Sequence, residues 1–127
     1  MIDTNVLVSA VLFPKSVPAK AVASACENHR LILCDHIIDE CYDTIGRKFP
    51  QHIPVLDELL NTMVYETVTV PRSPQSLIAD PKDAPILNAA ILHEVDIIIS
   101  GDKHFLQLDM EHPKAMKPSD FVEIYGE

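Results

Sequence analysis

Two short apolar runs constrain this chain more than any other feature. Leu31-Ile32-Leu33-Cys34 and Ile97-Ile98-Ile99 show no polar alternation, which is the pattern of strands covered on both faces and therefore of a buried parallel sheet. Around them the apolar residues recur at helical spacing. Val17, Ala21, Val22, Ala25 and Cys26 predict a helix from about Ser16 to Asn28, with Pro18 tolerated in its first turn. Asp35 reads as the N-cap of a helix running to Lys48, with Ile37, Ile38, Cys41, Tyr42, Ile45 and Phe49 on its inner side. Val55, Leu56, Leu59, Leu60 and Met63 form a third amphipathic segment after Pro54.

The second half repeats the alternation. Thr67 to Val70 is strand-like, and Pro71, Pro74 and Pro81 mark an extended connection. A helix is expected from Ala84 to about Glu94, the apolar strand from Asp96 to Ser100, a short helix from Lys103 to about Leu108, and a last strand at Phe121 to Ile124. Met1-Ile2 would be the stub of a first strand, although central strands usually run to about five residues. Strands alternating with helices imply an α/β sheet with right-handed crossovers. At 127 residues, one domain of residues 1–127 is expected.

In an open α/β sheet, ligands gather beyond the carboxyl ends of the strands. Three acids fall there: Asp3 after the first stub, Asp83 at the start of the helix that follows Asp80-Pro81-Lys82, and Asp102 after the strand ending at Ser100. Carboxylates brought together repel one another, and a divalent cation relieves that repulsion. Oxygen donors without paired His or Cys favour magnesium or manganese, which suits hydrolysis of a phosphodiester. The plainer alternative is that each aspartate caps a helix, as Asp35 is expected to do. A fourth acid could come from the helix Asp35–Lys48. There Asp39 and Glu40 flank the apolar stripe at similar angles, whereas Asp43 faces away.

Charge and cysteine content restrict the alternatives. Ten Lys and Arg against nineteen Asp and Glu leave a net charge of −9, opposite in sign to a generic nucleic-acid binder. A phosphate substrate would therefore need help from cations, and two divalent ions would bring −9 only to −5. Apolar runs fall far short of the roughly 18 residues of a membrane span. The three cysteines have no secreted-scaffold spacing, so a reducing cytoplasm is the expected location. Cys26 with His29, and Cys34 with His36 and Cys41, do not have zinc-site spacing and read as small core hydrophobes.

The ordered set Asp3-Thr4-Asn5-Val6-Leu7-Val8-Ser9-Ala10, Glu40, Asp80-Pro81-Lys82-Asp83 and Ser100-Gly101-Asp102-Lys103 resembles the PIN domain, particularly the toxin components of type II toxin–antitoxin systems. The resemblance implies a three-layer α/β/α sandwich with a mostly parallel central sheet of four or five strands. It further implies an endoribonuclease whose acidic quartet, Asp3, Glu40, Asp83 and Asp102, binds one or two magnesium or manganese ions. Glu40 is thereby preferred to Asp39. Asn5 and Ser100 match supporting polar positions, as does Asp80, while Lys15, Lys82 and Lys103 are candidates for contact with RNA phosphates. A cognate antitoxin and a homodimer are the implied partners. Relatives carry several apolar residues ahead of the first aspartate, so a short first strand here is expected to weaken the hold on Asp3. A catalytically weak module acting as a binding or scaffold protein is the alternative. Leu59, Leu60 and Met63 are expected in the core, with dimerisation the second reading, and His104 lies close enough to Asp102 in sequence to approach the same edge.

Overall fold

The computed structural model describes residues 1–69 and 84–126. The extended connection expected at Pro71, Pro74 and Pro81 lies outside the described residues, as do Val70, Asp80, Lys82 and Asp83. Three strands appear in or near their expected places: β1 at Ile32–Cys34, β2 at Glu66–Val68 and β3 at Ile97–Ile99. The parallel pairing β1–β2 sets Ile32 opposite Glu66 and Cys34 opposite Val68.

The last strand is not where the sequence predicts it. Residues 121–124 belong to helix α7, Pro118–Tyr125, and the partner of β3 is β4 at Lys114–Met116. Phe121-Val122-Glu123-Ile124 is too short to distinguish strand from helix by periodicity. Pro118 in the first turn favours the helix, which buries Phe121 and leaves Ile124 62% exposed. Conversely, Lys114-Ala115-Met116 has little strand propensity of its own. Its extended form is fixed from outside, by Lys114 N–H donating to Asp96 O at 2.9 Å and Met116 O accepting Ser100 N–H at 3.0 Å.

Met1 to Asp3 runs alongside β3. Ile99 N–H donates to Met1 O at 2.9 Å, Asp3 N–H donates to Ile99 O at 3.0 Å, and Ile2 bridges Ile99 in parallel. These contacts fix where Asp3 emerges. The described strands form two parallel pairs, β1–β2 and β3–β4, and each strand is three residues long. The architecture is thus α/β but mostly helical, and coarser than the continuous four- or five-strand sandwich expected.

Seven α-helices are described. The periodicity reading missed α1, Thr4–Leu12, because this segment is apolar on nearly every side and carries little one-faced pattern. Helix α1 packs against α2 (Val17–Asn28), α3 (Asp35–Lys48) and α4 (Ile53–Thr62). Ser16 caps α2 by accepting Ala19 N–H at 3.3 Å. Asp35 is the first residue of α3 rather than its cap, a place held by Cys34, and its Oδ1 accepts His36 N–H at 2.8 Å. Helices α5 (Ala84–Leu92) and α6 (Lys103–Leu106) flank β3 in sequence, and α7 packs on α2.

One apolar cluster joins these elements, with Leu7, Leu33, Ile37, Ile45, Leu56, Ile86, Ile98 and Phe105 all fully buried. Leu59, Leu60 and Met63 are partly buried against it. Among the described residues no single helix is long and apolar enough to cross a membrane. Helices α1 and α2 reach that length only as a pair bent by 110°, and much of their apolar surface faces the core.

Candidate active site

The carboxyl ends of the first stub and of β3 bring Asp3 and Ser100 side by side. Ser100 is 0% exposed; its hydroxyl donates to Asp3 Oδ2 at 2.8 Å, and Ser100 Oγ in turn accepts Asp102 N–H at 3.0 Å. One serine therefore sets both the rotamer of the first acid and the backbone that carries the third. Asp102 in turn caps α6, its Oδ1 accepting His104 N–H at 2.8 Å and lying 3.1 Å from His104 Nδ1.

Glu40 arrives from the other side, on α3. Thr4, the first residue of α1, donates its hydroxyl to Glu40 Oε1 at 2.8 Å. Of the two acids that helix geometry left open, Glu40 is the one tied to the segment carrying Asp3, whereas Asp39 is exposed. His36, one turn earlier, places its Nε2 3.3 Å from the same Glu40 oxygen.

The electrostatics show that these acids share a field. Asp3 is only 3% exposed, and burial raises its carboxyl pKa above the usual range. The Ser100 hydroxyl and the Thr4 backbone oppose that rise, while the charges of Asp102 and Glu40 add to it. Cys41, beneath them on α3, registers the same charges: burial first, then Glu40 and Asp3, push its thiol up to about 12. Each acid also has its own donor, so anchoring and capping account for part of the arrangement. Neutral hydroxyls and amides orient a carboxylate without cancelling its charge, and no lysine is paired with Asp3, Glu40 or Asp102 among the described residues.

Carboxylate oxygens are the donors that suit a hard divalent cation, and Asp3, Glu40 and Asp102 are the described acids of the site. Among the described residues, no group of three His, Cys, Asp or Glu side chains is placed to hold a metal ion. Cys34 and Cys41 are buried, with thiols raised to about 11 and about 12 chiefly by desolvation.

The remaining sequence candidates are more peripheral. Asn5 is exposed on the first turn of α1, Lys15 is exposed between α1 and α2, and Lys103 is exposed at the first position of α6. Asp83, Asp80 and Lys82 fall outside the described residues. Two side chains at the site carried no role in the sequence reading: Thr4, whose hydroxyl holds Glu40, and His36, weighed only as a zinc candidate. The available signal for His36 was its i, i+4 spacing to Glu40 on a predicted helix.

Asp3 and Asp102 at the carboxyl ends of parallel strands, with helices around them, define an α/β protein whose candidate site lies at that edge. The profile of the PIN domain matches residues 1–104, and the chain belongs to the PIN-domain family. No curated protein and no solved structure matches it.

Proposed function

We propose that this chain is a divalent-metal-dependent endoribonuclease, the toxin of a toxin–antitoxin pair. The observation that carries this reading is the carboxylate of Asp3 at a strand end of a PIN domain, destabilised as an anion first by burial and then by the charges of Asp102 and Glu40. One or two magnesium or manganese ions would be held by Asp3, Glu40, Asp83 and Asp102. When bound, such ions supply an activated water and stabilise charge on phosphoryl oxygens.

The chain's own residues prepare that chemistry. Ser100 fixes the Asp3 carboxylate and Thr4 fixes that of Glu40, so two ligands from different elements need little reordering when a cation arrives. Asn5 and Asp80 support the same edge. Lys15, Lys82 and Lys103 contact RNA phosphates, a role that makes affinity fall with salt. Hydrolysis without a ribose 2′-hydroxyl nucleophile leaves 5′-phosphate and 3′-hydroxyl ends and no cyclic phosphate. An antitoxin would restrain the enzyme in the cytoplasm, and the chain would act as a homodimer.

The test is RNA cleavage with magnesium or manganese by the wild type and by Asp3→Asn, Glu40→Gln, Asp83→Asn and Asp102→Asn. Loss of cleavage in the variants supports the quartet; undiminished cleavage in all four rejects it. A second reading, a scaffold module with weak catalysis, is favoured by the lack of a closed ligand set among the described residues. Calorimetry separates the two, because a scaffold takes up little of either ion.

A further inference from the structure

Helix α2 packs on α1 and on α7, and it also borders an open groove of about 580 Å³ shared with the end of α4. Ala19, Ala23 and Cys26 of α2 line this groove together with Leu59 and Met63. The two most exposed large apolar side chains of the described surface stand at its ends. Phe13, 63% exposed, adjoins Pro14 of the lining where α2 begins, and Val64, 77% exposed, donates its N–H to Cys26 Sγ at 3.2 Å where α2 ends. Apolar surface gathered in this way marks a place where another surface docks.

The charges beside the groove change sign from one end to the other. Lys20 is exposed in the first half of α2 and Glu27 in its last turn. Seven residues separate them, so they leave the same side of the helix about 10.5 Å apart along its axis. Neither side chain has an ion pair or hydrogen bond among the described residues. Between them Ala23 is exposed and presents only a methyl group. A surface that is basic at one end, acidic at the other and small in the middle complements itself when turned about a two-fold axis. A partner of uniform charge matches only one of its ends.

We propose that this groove is the interface of a two-fold homodimer in which α2 of each copy lies antiparallel to α2 of the other. With the axis beside Ala23, Lys20 of each copy meets Glu27 of the other, and Phe13 of each copy covers the Val64 end of the opposite groove. The apolar ends supply the affinity, and the two ion pairs set the register. This inference rests on the homodimer in the reading above and gives it a face, without drawing on the metal chemistry.

The experiment is sedimentation equilibrium of the full chain between about 1 μM and 1 mM. The wild type should associate to a dimer. Lys20→Glu or Glu27→Lys alone places like charges opposite each other twice, and each should weaken association by about 30-fold or more. The double variant Lys20→Glu/Glu27→Lys exchanges the signs and should return to within about fivefold of the wild type. An equimolar mixture of the two single variants should dimerise as well, because each then supplies the charge that the other lacks. Phe13→Ser should weaken association by about tenfold or more. All three positions are exposed, and circular dichroism checks that the variants keep the fold. A wild type that dimerises while the single reversals associate equally well overturns this face but leaves a homodimer standing. Single reversals that are not rescued by the double variant or by mixing overturn it too. A wild type that stays monomeric throughout leaves the groove to another occupant and overturns this proposal together with the homodimer, while RNA cleavage tests the nuclease reading separately.

Discussion

Replacing Ser100 by Ala tests how the site is built, because this one hydroxyl serves two of its acids. The substitution removes the bond to Asp3 Oδ2 and leaves Asp102 N–H without its acceptor. A hydrogen bond to a charged group contributes about 1.5–3 kcal/mol, and an orphaned buried donor costs about 1–3 kcal/mol. Since Asp102 is only half-buried, water recovers part of the second amount, and the expected destabilisation is about 3 kcal/mol, or roughly a hundredfold in the folding equilibrium. Urea unfolding reads it as a midpoint lowered by about 2 M for a slope near 1.5 kcal/mol/M. The pH dependence isolates the Asp3 part. Because its folded pKa is raised, Asp3 contributes most fully below its unfolded value, near 3.8, and that contribution is lost as pH rises through the folded value. Without Ser100 the pKa rises further, so the loss continues to higher pH, and the gap between variant and wild type widens as Asp3 ionises. A penalty below about 0.5 kcal/mol, or one that does not change with pH, would refute this account of Ser100.

Thr4→Val keeps the buried shape but deletes the donor to Glu40; manganese affinity, read by calorimetry, should fall by about 10- to 100-fold while the fold is kept. In native protein a thiol reagent should titrate Cys26 rapidly and leave Cys34 and Cys41 unreacted, since both are buried with raised thiol pKa values. In a chain whose amino terminus is the Met1 nitrogen, desolvation lowers that ammonium from 8.0 to about 5. Stability should then fall as pH drops from about 8 toward 5, by up to about 4 kcal/mol, and blocking the amine by acetylation should flatten this slope in urea melts. Phe105→Ala opens a cavity beneath α6 at a fully buried site and should cost about 3–5 kcal/mol in the same melts.

The parallel character of the fold and most helix positions were legible along the chain, because burial on both faces leaves an unbroken apolar run and burial on one face leaves a periodic one. Both signals failed where burial was uniform or the segment was too short. Helix α1 is apolar nearly all round, so its period is faint. Residues 121–124 suit either element, and their state is decided by Pro118 and by the rings of His29 and Tyr125, whose centroids lie 5.5 and 5.2 Å from that of Phe121. Strand β4 has no local signature, since its pairing with β3 creates it.

The same division runs through the site. Sequence alone placed Asp3 and Asp102 beyond strand ends, because strand direction and topology determine which residues follow the carboxyl edge. It could not choose between Asp39 and Glu40 by helix angle, for both flank the buried stripe. Only packing distinguishes them: Thr4 of α1 is set against α3 so that its hydroxyl meets Glu40, while Asp39 is exposed. It also made Ser100 the shared support of two acids ninety-nine residues apart. Periodicity along a chain reports which face of each element is buried; distances between side chains on different elements exist only once those faces have packed.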